Sequence, residues 1–211
     1  MNRKILFLIV ACLCISGLHA QEEKNRRNSY LNLSYAYQQL TGLERGMMLN
    51  SDRAAAFTIG HTYYLHRKPL FNLMKIGLDA TFFDLNVADY GKYYEKHYGF
   101  GGEEEEEGDL EDMSLQLEVG MHIGPSITFL PPVKGLKGNI YFRYAPSISA
   151  FKVGDDLFYN YAGLWVSGLA VSYKVISAGM ELRWGSADYK VDEYTEKWQT
   201  KATRYYISFR F

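Results

Sequence analysis

The sequence predicts an all-β fold, eight antiparallel strands closed into an up-and-down transmembrane β-barrel, and three observations lead there. The segment Thr203 to Phe211, TRYYISFRF, sets Thr203, Tyr205, Ile207, Phe209 and Phe211 against Arg204, Tyr206, Ser208 and Arg210. The same period of two recurs along the chain, which means strands with two chemically different faces. Aromatics are abundant, 18 Tyr, 12 Phe and 3 Trp. Beyond residue 20 no stretch approaches the ~18 consecutive apolar residues of a spanning helix, so strands are the route through a bilayer.

The first twenty residues stand apart from this pattern. Arg3 and Lys4 precede an apolar core, Ile5 to Leu18, and Leu18-His19-Ala20 supplies a small residue at a cleavage point before Gln21. This is the plan of a secretory signal peptide, so 1–20 are set aside from the fold, 21–29 form a polar periplasmic lead, and 30–211 form the barrel. Both cysteines, Cys12 and Cys14, fall in the signal. The mature chain is thus expected to lack disulfides, thiolate chemistry and cysteine metal sites. Ile9-Val10-Ala11-Cys12 also spells a lipoprotein box, the alternative in which Cys12 is lipidated.

The strands follow in order. Leu31, Leu33, Tyr35 and Tyr37 alternate with Asn32, Ser34, Ala36 and Gln38. The second run sets Ala55, Phe57, Ile59, His61, Tyr63 and Leu65 against Ala56, Thr58, Gly60, Thr62 and Tyr64, and ends in the turn His66 to Pro69. The third sets Met74, Ile76, Leu78, Ala80 and Phe82 opposite Lys75, Gly77, Asp79 and Thr81. The fourth sets Met113, Leu115, Leu117, Val119, Met121 and Ile123 against Ser114, Gln116, Glu118, Gly120 and His122. Pro131-Pro132 then stops pairing, because adjacent prolines remove ladder donors. The fifth carries Ile140, Phe142, Tyr144 and Ile148 outward and Tyr141, Arg143, Ala145, Ser147 and Ser149 inward, with Pro146 marking a bulge or a local break. In the sixth, Tyr161 to Tyr173, either Leu164, Val166 and Ala170 or Trp165, Leu169 and Val171 face lipid. The seventh sets Ile176, Ala178, Met180, Leu182 and Trp184 against Ser177, Gly179, Glu181 and Arg183, and the eighth is the closing segment.

The connections 41–53, 66–72, 86–112, 130–138, 152–159, about Lys174, and 185–199 alternate long and short, with both chain ends on the short side. Outer-membrane barrels pair short periplasmic turns with long external loops in this way. A soluble barrel with its apolar face inward around a ligand is the rival. Aromatic residues near strand ends (Tyr37, Tyr63, Phe82, Phe142, Tyr173, Trp184, Phe209) suit interfacial girdles and favour the membrane barrel.

Candidate sites come from the enclosed face. Asp79, Glu118, Arg143, Glu181, Arg183 and Arg204 fall at comparable height, and a lumen only wide enough for side chains forces such charges to pair. They are expected to form a cross-lumen ion-pair network that plugs the barrel, with a gated proton or ion path as the alternative. In the longest outer connection, Tyr90, Tyr93, Tyr94, His97 and Tyr98 are a candidate contact surface, since tyrosine offers large amphipathic area at small entropic cost. The adjacent run Glu103 to Glu107 is a solvated charge run with no spaced cation-binding motif, so no metal and no cofactor is expected. For catalysis, His97, Ser51, Asp52, Ser186 and Asp188 lie in outer connections; His61 falls on the lipid face, and His122 sits near the periplasmic end. No enzyme is expected from this set. Lys and Arg number 23 against 24 Asp and Glu, so there is no basic bias toward nucleic acid.

The closing segment resembles the C-terminal signal of bacterial outer-membrane β-barrels, in which Tyr205, Ile207, Phe209 and Phe211 stand at the positions read by the barrel assembly machinery. With the signal peptide and eight alternating segments, the mature chain resembles the small OmpA/OmpX-like barrels, and in particular the barrel-only proteins of Bacteroidota. The resemblance implies residence in the bacterial outer membrane, contact with its lipid and lipopolysaccharide, and assembly by that machinery. Function follows only weakly: a plugged barrel presenting 86–112 and 185–199 to a surface ligand or partner protein or giving structural support. An accessory barrel of a secretion or assembly complex, a lipid A modifying enzyme, and a narrow pore are the alternatives.

Overall fold

The computed structural model describes residues 28–42, 48–92, 113–153, 156–191 and 194–211. The expected signal peptide, and the Tyr93, Tyr94, His97, Tyr98 and Glu103 to Glu107 stretch, lie outside these residues. The strands are β1 (Ser29–Gly42), β2 (Met48–Asn50), β3 (Arg53–Tyr64), β4 (Met74–Lys92), β5 (Met113–Phe129), β6 (Leu136–Val153), β7 (Asp156–Tyr173), β8 (Ile176–Val191) and β9 (Tyr194–Arg210). β1 pairs with both β2 and β3, each strand from β3 onward pairs antiparallel with the next, and β1 pairs β9 from Tyr30↔Arg210 to Gly42↔Trp198, which closes the sheet. Closure gives each of the long strands a partner on both sides, the condition for a sheet to sit in hydrocarbon.

Nine strands make eight staves, because β2 and β3 both lie against β1. Gln39 opposes Asn50 while Ala36 opposes Ala54, so one extra residue is accommodated at Ser51 and Asp52. The seam is held by Ser51, whose N–H donates to Gln38 O at 2.7 Å and whose Oγ accepts from Gln38 N at 2.8 Å.

Alternation divides the two faces as the period of two requires. Leu33, Met121, Ile123, Ile148, Leu169, Val171, Ile176 and Ile207 stand on the exposed exterior, while Asn32, Thr58, Gln116, Glu118, Arg143 and Arg204 are buried within. This placement excludes the soluble alternative with its apolar face inward. In β7, Trp165, Leu169 and Val171 face outward and Leu164, Val166 and Ala170 are enclosed, which decides the choice left open by the sequence. On the outside, Phe142 stacks on Trp165 at 5.2 Å and lies 6.1 Å from Trp184.

β4 departs from the expected pattern. Ile59 opposes Phe83 but Gly60 opposes Thr81, and on the other side pairing jumps from Thr81↔His122 to Asp84↔Gly120. Phe82 and Phe83 therefore both face lipid, as at a β-bulge, and the parity beyond them is reversed. Asp84, Asn86, Ala88 and Tyr90 become enclosed, and the strand runs on to Lys92 where a loop from residue 86 was expected. Pro146 behaves differently. It leaves Met121 and His122 without ladder partners on β6, yet the register is the same on both sides, Gly120↔Ser147 and Ile123↔Tyr144.

Two other connections are shorter than expected. β6 and β7 pair down to Val153↔Asp156, and β8 and β9 down to Val191↔Tyr194. Residues 185–199 are thus mostly a paired hairpin. Strands β4 to β9 hold 19, 17, 18, 18, 16 and 17 residues, against the ~9 to 11 that cross a bilayer.

The lumen as candidate functional site

Side chains from opposite walls meet across the lumen. Asp84 on β4 is the hub: Arg204 on β9 donates from Nη1 to Oδ1 at 2.8 Å and from Nη2 to Oδ2 at 3.1 Å. This two-pronged fit is the strong form of guanidinium–carboxylate contact. Thr58, its cross-strand neighbour, donates to Oδ1 at 2.8 Å. Arg183 Nη2 lies 3.5 Å and His122 Nε2 3.3 Å from Oδ2.

Three further carboxylates surround this hub. Glu118 faces Arg183 Nη1 at 3.3 Å and accepts from Asn86 and Gln116. Glu181 accepts from Tyr141 Oη at 2.8 Å, faces Arg143 Nη2 at 3.1 Å and its cross-strand neighbour Arg204 at 3.8 Å. Asp79 accepts from Tyr30 Oη at 2.6 Å and Thr62 Oγ1 at 2.9 Å, with Arg143 Nε 3.5 Å away. Arg143 also donates to Thr81 at 2.8 Å, and its guanidinium lies 3.7 Å from the centre of the Tyr141 ring.

Glycine makes room for the tyrosines. Tyr141 lies across Gly168 and Tyr206 across Gly179, each pair being register partners; a Cβ at either glycine would stand 2.3 to 2.5 Å from the ring or its hydroxyl. Tyr141 and Tyr206 then join through their hydroxyls at 3.0 Å.

Toward the long-hairpin end the lining turns apolar. Leu40, Leu164 and Val166 are fully enclosed together with Tyr90, Phe151 and Trp198. Phe151 meets Tyr90 edge-on at 5.9 Å and lies 6.1 Å from Trp198. Tyr90 donates to Gln116 at 2.7 Å and Gln38 bonds Gln116 and Asn86, both at 2.7 Å, which joins this layer to the charges below.

All six residues assigned by sequence to the lumen, Asp79, Glu118, Arg143, Glu181, Arg183 and Arg204, lie there and are linked by these contacts. Sequence reasoning missed Asp84, because it ended strand parity at Phe82; the consecutive aromatics Phe82-Phe83, which break the alternation, were the available signal. His122 was placed on the enclosed face but not in the network. Tyr90 is corrected: it is an inward residue of β4, not part of an outer contact surface, because the bulge carries the strand past it. Tyr205, Ile207, Phe209 and Phe211 lie on the lipid face of the closing strand.

The outer polar set does not assemble into a catalytic group among the described residues. Ser51 is engaged at the β1–β2 seam, Ser186 sits in the β8–β9 ladder opposite Gln199, and Asp188 lies opposite Lys197 with its carbonyl accepting from Asn160. His61 faces outward at the short-turn rim, its Nδ1 2.8 Å from Ser29 Oγ. Among the described residues no group of three His, Cys, Asp or Glu is placed to hold a metal ion.

No family model matches the chain, and no curated protein matches it. Solved structures similar to it include Ail, the attachment invasion locus protein of Yersinia pestis, in complex with the heparin analogue sucrose octasulfate, at 10% identity over 87% of this chain and 98% of that one, TM-score 0.49. The outer membrane protease OmpT from Escherichia coli is similar at 10% identity over 89% and 98%, TM-score 0.45. The N-terminal β-barrel domain of Pseudomonas aeruginosa OprF is similar at 11% identity over 85% and 97%, TM-score 0.31. At these values nothing about activity, ligand or partner carries over. The chain's own geometry decides its class: a closed antiparallel ladder, apolar outside and ionic inside, is a small transmembrane β-barrel of the outer-membrane type.

Proposed function

We propose that this protein is a non-conducting, non-catalytic barrel of the bacterial outer membrane that holds its long hairpins at the cell surface, for contact with a ligand or partner protein or for structural support. The observation that carries the reading is the pair of stacked layers in the lumen. Guanidiniums from β6, β8 and β9 reach carboxylates on β4, β5 and β8, and above them Leu40, Phe151 and Trp198 form an apolar layer. An ion entering from either end meets fixed charges already paired with one another, or an apolar layer that offers it no ligand. Burying charges costs several kcal/mol each unless they are paired, so the network resists opening.

Single-channel recording of the refolded protein in planar bilayers tests this. A silent baseline at both polarities is expected. Steady unitary conductance would overturn it. The non-catalytic part predicts an unchanged lipid A mass spectrum with and without the protein.

A further inference from the structure

The acidic residues of the described chain are segregated. Asp79, Asp84, Glu118 and Glu181 are enclosed, and Asp52, Asp89, Asp156, Asp188 and Glu196 belong to the strand ends on the long-hairpin side. The short-turn rim has no acidic side chain among the described residues. It carries Arg67, Lys68, Lys134 and Lys174, all exposed, drawn from three successive turns. Lys174 Nζ lies 5.2 Å from the ring centre of Tyr173, an exposed aromatic at the lipid-facing margin.

The turn between β3 and β4 adds a second, independent feature. Leu73 N donates to Leu70 O at 2.9 Å, and the two central residues, Phe71 and Asn72, have φ of 51° and 57°. That is a type I′ geometry, whose central positions favour Asn and Gly because a bulky side chain is disfavoured at positive φ. Phe71 nevertheless occupies one, and it is 90% exposed. Leu65, Leu70 and Leu73 beside it are exposed too. An aromatic ring in a backbone conformation that it disfavours, burying nothing within its own chain, has its use outside the protein.

We propose that the short-turn rim is an anchor for anionic phospholipid: Phe71 and its leucines enter the interfacial layer of the leaflet while Arg67, Lys68, Lys134 and Lys174 hold lipid phosphates. Charge complementarity selects the occupant, since a rim whose described side chains include four exposed cations and no acid attracts an anionic surface. Continuity selects it as well, because the turn extends the lipid-facing band of β3 and β4 and not a separate surface. The inference rests on the membrane placement of the barrel and is independent of the closed-lumen reading.

The test uses the refolded mature chain in phosphatidylcholine vesicles with a minority of phosphatidylglycerol, probed with spin-labelled lipids. Phosphatidylglycerol is expected to be immobilised at the barrel about threefold or more over phosphatidylcholine. High sodium chloride and the R67Q/K68Q/K134Q/K174Q variant should each bring the ratio near unity, as screening of exposed charges requires. Equal retention of both lipids by the parent protein, or selectivity unchanged in the variant, overturns the anchor. So does displacement by inorganic phosphate beyond that by sodium chloride of equal ionic strength, which would assign a discrete phosphate site. In a second arm, a polarity-sensitive fluorophore on Phe71→Cys should report an apolar environment in vesicles. Water-like emission there sinks the insertion, including the case in which a soluble partner is the occupant.

Discussion

Asp84 gathers Arg204, Arg183, His122 and Thr58 within 3.5 Å, so its removal leaves two guanidiniums facing each other in a closed space. Breaking such a pair from one side costs about 3–5 kcal/mol, while replacing both partners with apolar groups is often neutral. Asp84→Ala is therefore expected to lower unfolding stability in lipid vesicles by about that amount, measured by urea titration. The double variant D84L/R204M should recover at least about half of the loss. Gly168→Val is expected to destabilise by about 1–3 kcal/mol through overpacking against Tyr141, with the Y141A/G168V pair milder than the sum. At this scale the sequence was legible where parity was unbroken. Asp79, Glu118, Glu181 and the three arginines needed only alternate positions on a strand. Asp84 and Tyr90 were not legible, since both depend on an insertion of one residue upstream. Tyr30, Tyr141 and Tyr206 were invisible as network members because a tyrosine in a barrel is equally at home in an interfacial girdle.

The bulge at Phe82-Phe83 decides which side chains of β4 beyond it face the lumen and which face lipid. Deleting Phe83 would only take out the extra residue and leave Asp84 and Asn86 inward, whereas deleting Leu85 would keep the bulge and turn Asn86 and Tyr90 to the hydrocarbon and Val87 inward. Such a register change moves every later side chain to the other face. The Leu85 deletion is expected to give no heat-modifiable band on a gel, whereas Phe83→Leu, which changes no face, should retain it. Strand existence was readable from the period alone. Strand length was not, because alternation fades once a hairpin leaves the lipid and both its faces turn polar, as in 185–199. Pro146 was flagged from sequence as a bulge or a break; the register shows a break without a shift, because the pairing lost toward β5 is kept toward β7 at Gly163.

For the molecule as a whole, the inside-out distribution of aromatic residues gives a direct check. Trp165 and Trp184 are on the exterior, and Trp198 is enclosed beside Phe151. Brominated lipid should quench most of the tryptophan emission in the parent and little of it in W165F/W184F, where only Trp198 emits. Quenching that survives this double substitution would contradict the face assignment. Eight staves, closure and polarity of the two faces followed from repetition across the chain, in which each segment corroborated the next. The interior contacts were not legible in the sequence, since which arginine reaches which carboxylate across a lumen depends on stagger between strands that are far apart in sequence.

The surplus length of β4 to β9 has a mechanical meaning. Strands of 16 to 19 residues exceed the crossing requirement by roughly six to eight, and at ~3.3 Å per residue with a tilt near 40° that surplus raises the hairpin tips by about 15–20 Å. The barrel wall thus continues as a stiff collar above the bilayer, filled by packed rings where a wider cylinder would hold water. Whatever grips the tips from outside pulls on a rigid lever rooted in the hydrocarbon, and force applied there is borne by the whole closed ladder instead of by a single flexible loop.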